Sequence, residues 1–102
     1  MVELVKQHAQ EIESLCHKHH VQRLEVFGSA VTDEFDEKTS DLDFLVEFLP
    51  LQEGQYADAY FDLLFALQEL FGRSIDLLMP EAIKNRYFLQ AINQHRETLY
   101  AA

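Results

Sequence analysis

Apolar side chains at Val2, Val5, Ala9, Ile12, Leu15 and Cys16 recur at three- and four-residue steps, with Glu3, Lys6, Gln10 and Glu13 between them. That spacing predicts an amphipathic helix over residues 2–20. The period then shortens. VQRLEVF, residues 21–27, is a β-rich run that stops at Gly28-Ser29 and predicts a strand. Residues 30–40 hold turn formers and acids, with a short helical turn expected over Ala30 to Phe35. LDFLVEF, residues 42–48, predicts a second strand ended by Pro50. Gly54 opens a helical stretch in which Tyr56, Tyr60, Leu63, Leu64, Leu67, Leu70 and Phe71 form one stripe, and Gly72 supplies a C-terminal stop. SIDLLM, residues 74–79, reads as a third strand broken by Pro80. From Glu81 to about Tyr100, the pattern Ile83, Tyr87, Phe88, Ala91, Ile92, Leu99 reads as a final helix. Alternating strands and helices predict a small mixed β-sheet flanked by helices, of the α/β (α+β) class, with residues 1–102 as one domain.

Composition narrows the function. At 102 residues, with 48% apolar and 25% charged side chains, the chain suits one packed core and not a disordered segment. Eighteen acids against eight bases give a formal charge of −10. That balance argues against direct nucleic-acid binding, which needs a basic face. It suits divalent cations or a basic protein partner. Cys16 stands alone, so no internal disulfide can form and a reducing cytoplasm is expected. No apolar run approaches the roughly 20 residues of a membrane span, and Glu3, Glu11 and Glu13 interrupt the region where a signal peptide would be apolar.

Candidate chemistry concentrates between residues 26 and 48. Asp41 and Asp43 stand two apart at the start of a strand, so both carboxylates face one way and Leu42 and Phe44 the other. Two like charges so close raise one pKa unless a cation sits between them. Mg²⁺ is the natural candidate, because it takes oxygen ligands and keeps sites for substrate phosphates. A solvated strand end would use the same residues. Gly28-Ser29 follows a strand, where a glycine admits close backbone approach and N–H groups with a hydroxyl can hold phosphate oxygens. An ordinary turn has the same composition. Asp76 alternates away from Ile75, Leu77 and Met79, and thus either faces water at a strand edge or joins the other two carboxylates.

Taken in order, Phe27-Gly28-Ser29-Ala30, Ser40-Asp41-Leu42-Asp43-Phe44-Leu45-Val46-Glu47 and Ile75-Asp76-Leu77-Leu78 resemble the minimal nucleotidyltransferases of the DNA polymerase beta-like superfamily. The resemblance covers nearly the whole chain. It implies the polymerase beta-like fold, with the Gly28-Ser29 turn holding the triphosphate of ATP. It further implies Asp41 and Asp43 as ligands of two Mg²⁺ ions, and Asp76 completing the metal site and helping to activate an attacking hydroxyl. Chains of this kind resemble the antitoxin of two-gene systems whose partner is a helical HEPN-domain RNase, onto whose tyrosine AMP is transferred. The resemblance departs at Val31, where an Arg is frequent. Arg73, Lys84 and Arg86 are the candidate replacements for that charge.

Two rival functions share these features. One is an antitoxin that neutralises a basic toxin by covering it. The other is a nucleotidyltransferase acting on a cationic antibiotic, although such enzymes resemble longer chains with an added helical domain. Other features point to structure. His17, His19 and His20 beside Cys16 could form a zinc pair, but no second Cys-His pair closes a tetrahedral site, and histidines at a helix end suit its last carbonyls. The aromatic stripe Tyr56, Tyr60, Phe61, Phe65, Phe71 reads as core that could extend into a partner interface. Asp33, Glu34, Asp36, Glu37, Asp41, Asp43 and Glu47 against Lys38 place a net −6 in one stretch, a field attractive to Mg²⁺ and to a cationic partner.

Overall fold

The computed structural model describes residues 3–32 and 41–102. The acidic segment from Asp33 to Ser40 lies outside the described residues, as does the second half of the helical turn expected over Ala30 to Phe35. In chain order the elements are α1 (Glu3–Lys6), α2 (Ala9–Lys18), β1 (Val21–Phe27), a 3₁₀ turn (Gly28–Ala30), β2 (Leu42–Phe48), α3 (Gln55–Phe71), β3 (Ile75–Leu78), a second 3₁₀ turn (Pro80–Ala82), α4 (Arg86–Gln94) and β4 (Arg96–Ala101).

Four strands form one mixed sheet in the order β3-β2-β1-β4. β1 pairs antiparallel with both β2 and β4, while β2 and β3 run parallel across the α3 connection. The alternation expected from the sequence sorts the two faces. Leu42, Phe44 and Val46 of β2, Leu24 and Val26 of β1, and Ile75 and Leu77 of β3 join the main core. Against them pack Val5, Ile12 and Cys16 of the N-terminal helices and Ala59, Leu63, Leu67 and Phe71 of α3. The opposite face carries a smaller cluster, Phe27, Leu45 and Ile92, with Leu78 and Ile83 beside it. α4 lies over this second face and leaves part of it open.

Two expected helices are corrected. The first is broken into α1 and α2 at Gln7-His8. His8 Nδ1 donates to the Leu4 carbonyl at 2.8 Å, and its ring meets Phe71 edge-on at 5.0 Å, so a side chain takes over where the helix ladder lapses. The second, expected from Glu81 to Tyr100, is a short helix followed by a strand. Asn85 caps α4 by accepting from the N–H groups of Tyr87 at 2.9 Å and Phe88 at 3.2 Å. The helix ends at His95, and Arg96–Ala101 pairs along β1. Leu99 sits seven residues after Ile92, which mimics a helical stripe. The alternation of Arg96, Thr98 and Tyr100 with their neighbours is the strand signal.

β4 is fastened to β1 by charge. Glu25 is buried, and Arg96 grips it bidentately, with Nε donating to Oε2 at 2.9 Å and Nη2 to Oε1. Arg23 Nε stands 3.3 Å from the same carboxylate. The hydrogen bond from Arg96 holds the Glu25 carboxyl below its ordinary 4.5. A lowered folded-state pKa stabilises the protein above that ordinary value, and the stabilisation is lost as pH falls through the lower one. Arg96→Ala leaves a buried carboxylate with Arg23 alone and should cost about 3 kcal/mol in urea unfolding at neutral pH. A loss under about 1 kcal/mol would show that the pair is not what holds β4.

Candidate active site

The parallel register of β2 and β3 sets Asp43 opposite Asp76. Both residues point to the face away from the main core, because Leu42 and Phe44 on one side and Ile75 and Leu77 on the other are drawn into it. In that register the Asp76 carboxyl lies within reach of Asp43 and acts on it both as a hydrogen-bonding group and as a charge. On its other side Asp43 pairs with Phe27, the last residue of β1. Gly28 follows in left-handed backbone, φ +73°, and a Cβ there would stand 2.7 Å from Asp43 Oδ2. A glycine is therefore required twice, by the turn and by the carboxylate packed against it.

Burial pushes the Asp43 carboxyl up from 3.8 to about 7; its hydrogen bond to Asp76, the charge of Asp76 and the charge of Asp41 add to the rise. Asp41 itself is exposed just before β2. Among the described residues, no three His, Cys, Asp or Glu side chains stand as a ready-made metal group. The structure thus brings Asp43 and Asp76 into contact, and places Asp41 close enough to act on Asp43 through its charge. The donor set fits a hard divalent cation: two facing carboxyl groups, that of Asp43 held protonated by burial and its neighbours, with a third acid two residues away.

Ser29 is half-buried in the 3₁₀ turn that begins at Gly28. The Gly28 N–H donates to the His95 carbonyl at 3.3 Å, tying this turn to the end of α4. Val31 packs against the main core, so its apolar side chain has a structural use. Of the three bases considered in its place, Arg73 stands just before β3, three residues from Asp76. It precedes Ser74, whose carbonyl accepts from the Leu42 N–H at 3.3 Å, next to Asp41. Arg86 begins α4, whose far end meets Gly28. That helix of nine residues spans about 13 Å, and Lys84 precedes it. The Arg86 guanidinium instead lies over the Tyr87 ring at 5.9 Å.

The features set aside as structural fall elsewhere. His17 is paired with Glu13 at 3.9 Å and meets Tyr100 edge-on. Cys16 is buried, and burial pushes its thiol to about 12, so it is inert at neutral pH. The sequence reading overlooked Glu25 and Arg96; an acid inside a β-rich run was their one signal. No helix among the described residues is long and apolar enough to cross a membrane.

With the fold and its carboxylates in place, the chain belongs to the nucleotidyltransferase domain family, whose pattern it matches over residues 8–99; it is a nucleotidyltransferase. It is 38% identical over 77 residues to "Putative protein adenylyltransferase MJ0128" of Methanocaldococcus jannaschii, a match covering 76% of this chain and 74% of that one. A solved structure described as a "putative minimal nucleotidyltransferase" superposes with a TM-score of 0.70 at 29% identity, covering 91% of each chain. A chain from the complex of tri-AMPylated Shewanella oneidensis HEPN toxin with MNT antitoxin shares the fold, with a TM-score of 0.64 at 16% identity over 95% of this chain and 72% of that one.

The raised Asp43 pKa has a definite sign. A carboxyl easier to protonate when folded stabilises the protein below its ordinary 3.8, and that stabilisation is lost as pH rises through about 7. In chelator, the melting temperature should therefore fall between pH 5 and pH 8, and Asp43→Asn should flatten the fall. An unchanged slope in the variant would mean that Asp43 is not the titrating group.

Proposed function

We propose that this chain transfers AMP from ATP to a tyrosine hydroxyl of a HEPN-domain toxin and thereby acts as its antitoxin. The observation that carries the reading is the Asp43–Asp76 contact on an open sheet face beside the Gly28-Ser29 turn. Adenylyl transfer is consistent with the adenylyltransferase relative, and the toxin partner with the AMPylated complex that shares the fold.

Chemically, the acceptor oxygen bonds to the α-phosphorus while the bond from that phosphorus to the bridging oxygen breaks, and pyrophosphate leaves in line. Asp76 takes the proton of the acceptor hydroxyl. Asp41, Asp43 and Asp76 would hold two Mg²⁺ ions, which when bound supply charge stabilisation to the attacking and leaving oxygens. The Gly28 N–H is engaged with His95, so the turn offers the Ser29 hydroxyl and the N–H groups of Ser29 and Ala30 to the triphosphate. Arg73 supplies the guanidinium that Val31 does not.

Incubation with ATP, Mg²⁺ and the protein encoded by the neighbouring gene, followed by intact-mass spectrometry of both chains, tests the reading. A gain of one or more AMP masses should appear on the partner, and Asp43→Asn or Asp76→Asn should slow it at least roughly 100-fold. Mass gained on neither chain, with the toxin still neutralised, would show an antitoxin that acts by covering.

Arg73→Ala should weaken ATP binding about tenfold by calorimetry, as expected for a charge-assisted hydrogen bond to phosphate that is partly exposed. Arg86→Ala should leave it unchanged. The reverse ranking would move the phosphate-binding charge to α4.

A further inference from the structure

The aromatic stripe of α3 does not behave as one core surface. Ala59, Leu63, Leu67 and Phe71 turn into the main core, whereas Phe61 and Phe65, one helical turn apart, stay 51% and 59% exposed. Their rings lie 6.4 Å apart, and Tyr60 meets Phe61 edge-on at 5.1 Å, so the aromatics form one continuous surface. Phe65 also lines a groove of about 900 Å³ between α2 and α3, floored by Leu15 and Leu70. Exposed aromatics of this size on a helix mark a contact surface.

Charge decides what it contacts. α3 carries Asp58, Asp62 and Glu69 and no Lys or Arg, and all three acids are exposed. Glu11 lines the α2–α3 groove with Asp62 and Glu69, against Lys18 and His19. A second copy of this −10 chain would bring acids onto acids, and an anionic lipid or a nucleic acid would be repelled in the same way. A basic protein segment with apolar side chains at helical spacing satisfies both the rings and the carboxylates.

We infer that the Phe61–Phe65 face of α3, with the adjoining α2–α3 groove, is the docking surface for a basic amphipathic helix of the partner protein. This inference rests on the proposed toxin partnership. The surface lies across the sheet from Asp43 and Asp76, because α3 covers the main core and the carboxylates occupy the other face. Seating a partner there leaves the nucleotide face open. The contact therefore anchors the partner, and the acceptor hydroxyl is presented separately.

Steady-state AMP transfer to the protein encoded by the neighbouring gene, with binding followed by calorimetry, tests this. Phe61→Ser with Phe65→Ser should raise the Kd for the partner about 30-fold or more, as for loss of two central aromatic anchors. It should raise the KM for the partner by a similar factor while kcat at saturation and ATP affinity stay as in the wild type. Asp58→Asn with Asp62→Asn should flatten the salt dependence of association. Both changes are on exposed side chains, and an unchanged melting temperature checks that folding is intact. Unaltered partner affinity in the aromatic variant would overturn the inference while leaving adenylyl transfer standing. Wild-type protein that neither binds nor modifies the partner would overturn the partnership itself. A wild-type dimer that the aromatic variant loses would assign the surface to a second copy and overturn the partner assignment.

Discussion

Two carboxylates held side by side on adjacent parallel strands are the constraint around which this small domain is arranged. Asp43 meets Asp76 only in the register that also buries Leu42, Phe44, Ile75 and Leu77. A slip of one residue in β3 would turn Asp76 into the core and Leu77 out of it, so apolar burial enforces the like-charge contact. Gly72, in left-handed backbone, ends α3 with its N–H on the Gln68 carbonyl at 2.8 Å and so fixes where β3 begins. The energy that holds the acids together is thus supplied by the opposite face of the sheet, at a distance from the site.

The open face is divided between two charge arrangements with opposite responses to protons. Near β4, Glu25 is compensated by Arg96 and Arg23 and stays ionised. Near β3, Asp43 has acids for neighbours and holds its proton to about neutral pH. The first arrangement is structural and fastens an edge strand. In the second, the charges that act on Asp43 among the described residues are those of Asp76 and Asp41, the condition expected of a site that a cation and a polyphosphate complete together. α4 connects them, since its Asn93 accepts from Arg96 and the His95 carbonyl beyond its end holds the Gly28 turn.

Much of this was legible in the sequence. Period-two alternation through residues 21–27, 42–48 and 74–79 located three strands and assigned Asp43 and Asp76 to the face away from the core. The pairing of those two strands was not readable from alternation, because it depends on the α3 crossover and on the order of the sheet. The fourth strand was missed because Ile92 and Leu99, at seven-residue spacing, satisfy a helix as well as they satisfy a helix end followed by a strand. The bases facing the sheet, Arg23 and Arg96, were missed for the same reason: a partner for Glu25 arises only when β4 is folded back along β1. On α3, spacing identified an aromatic stripe but not its division into a buried and an exposed half, which follows from how one helix rests on a narrow sheet.

The site depends on Asp43 being held against Asp76 with its carboxyl protonated up to about neutral pH until a divalent cation binds. A carbon-detected NMR titration of the aspartate carboxyls, with and without saturating Mg²⁺, measures this directly. In metal-free protein Asp43 should titrate at about 7, and Mg²⁺ should move this step down toward the ordinary carboxylate range, around 4. An Asp43 carboxyl titrating near 4 without metal, and unmoved by Mg²⁺, would contradict it.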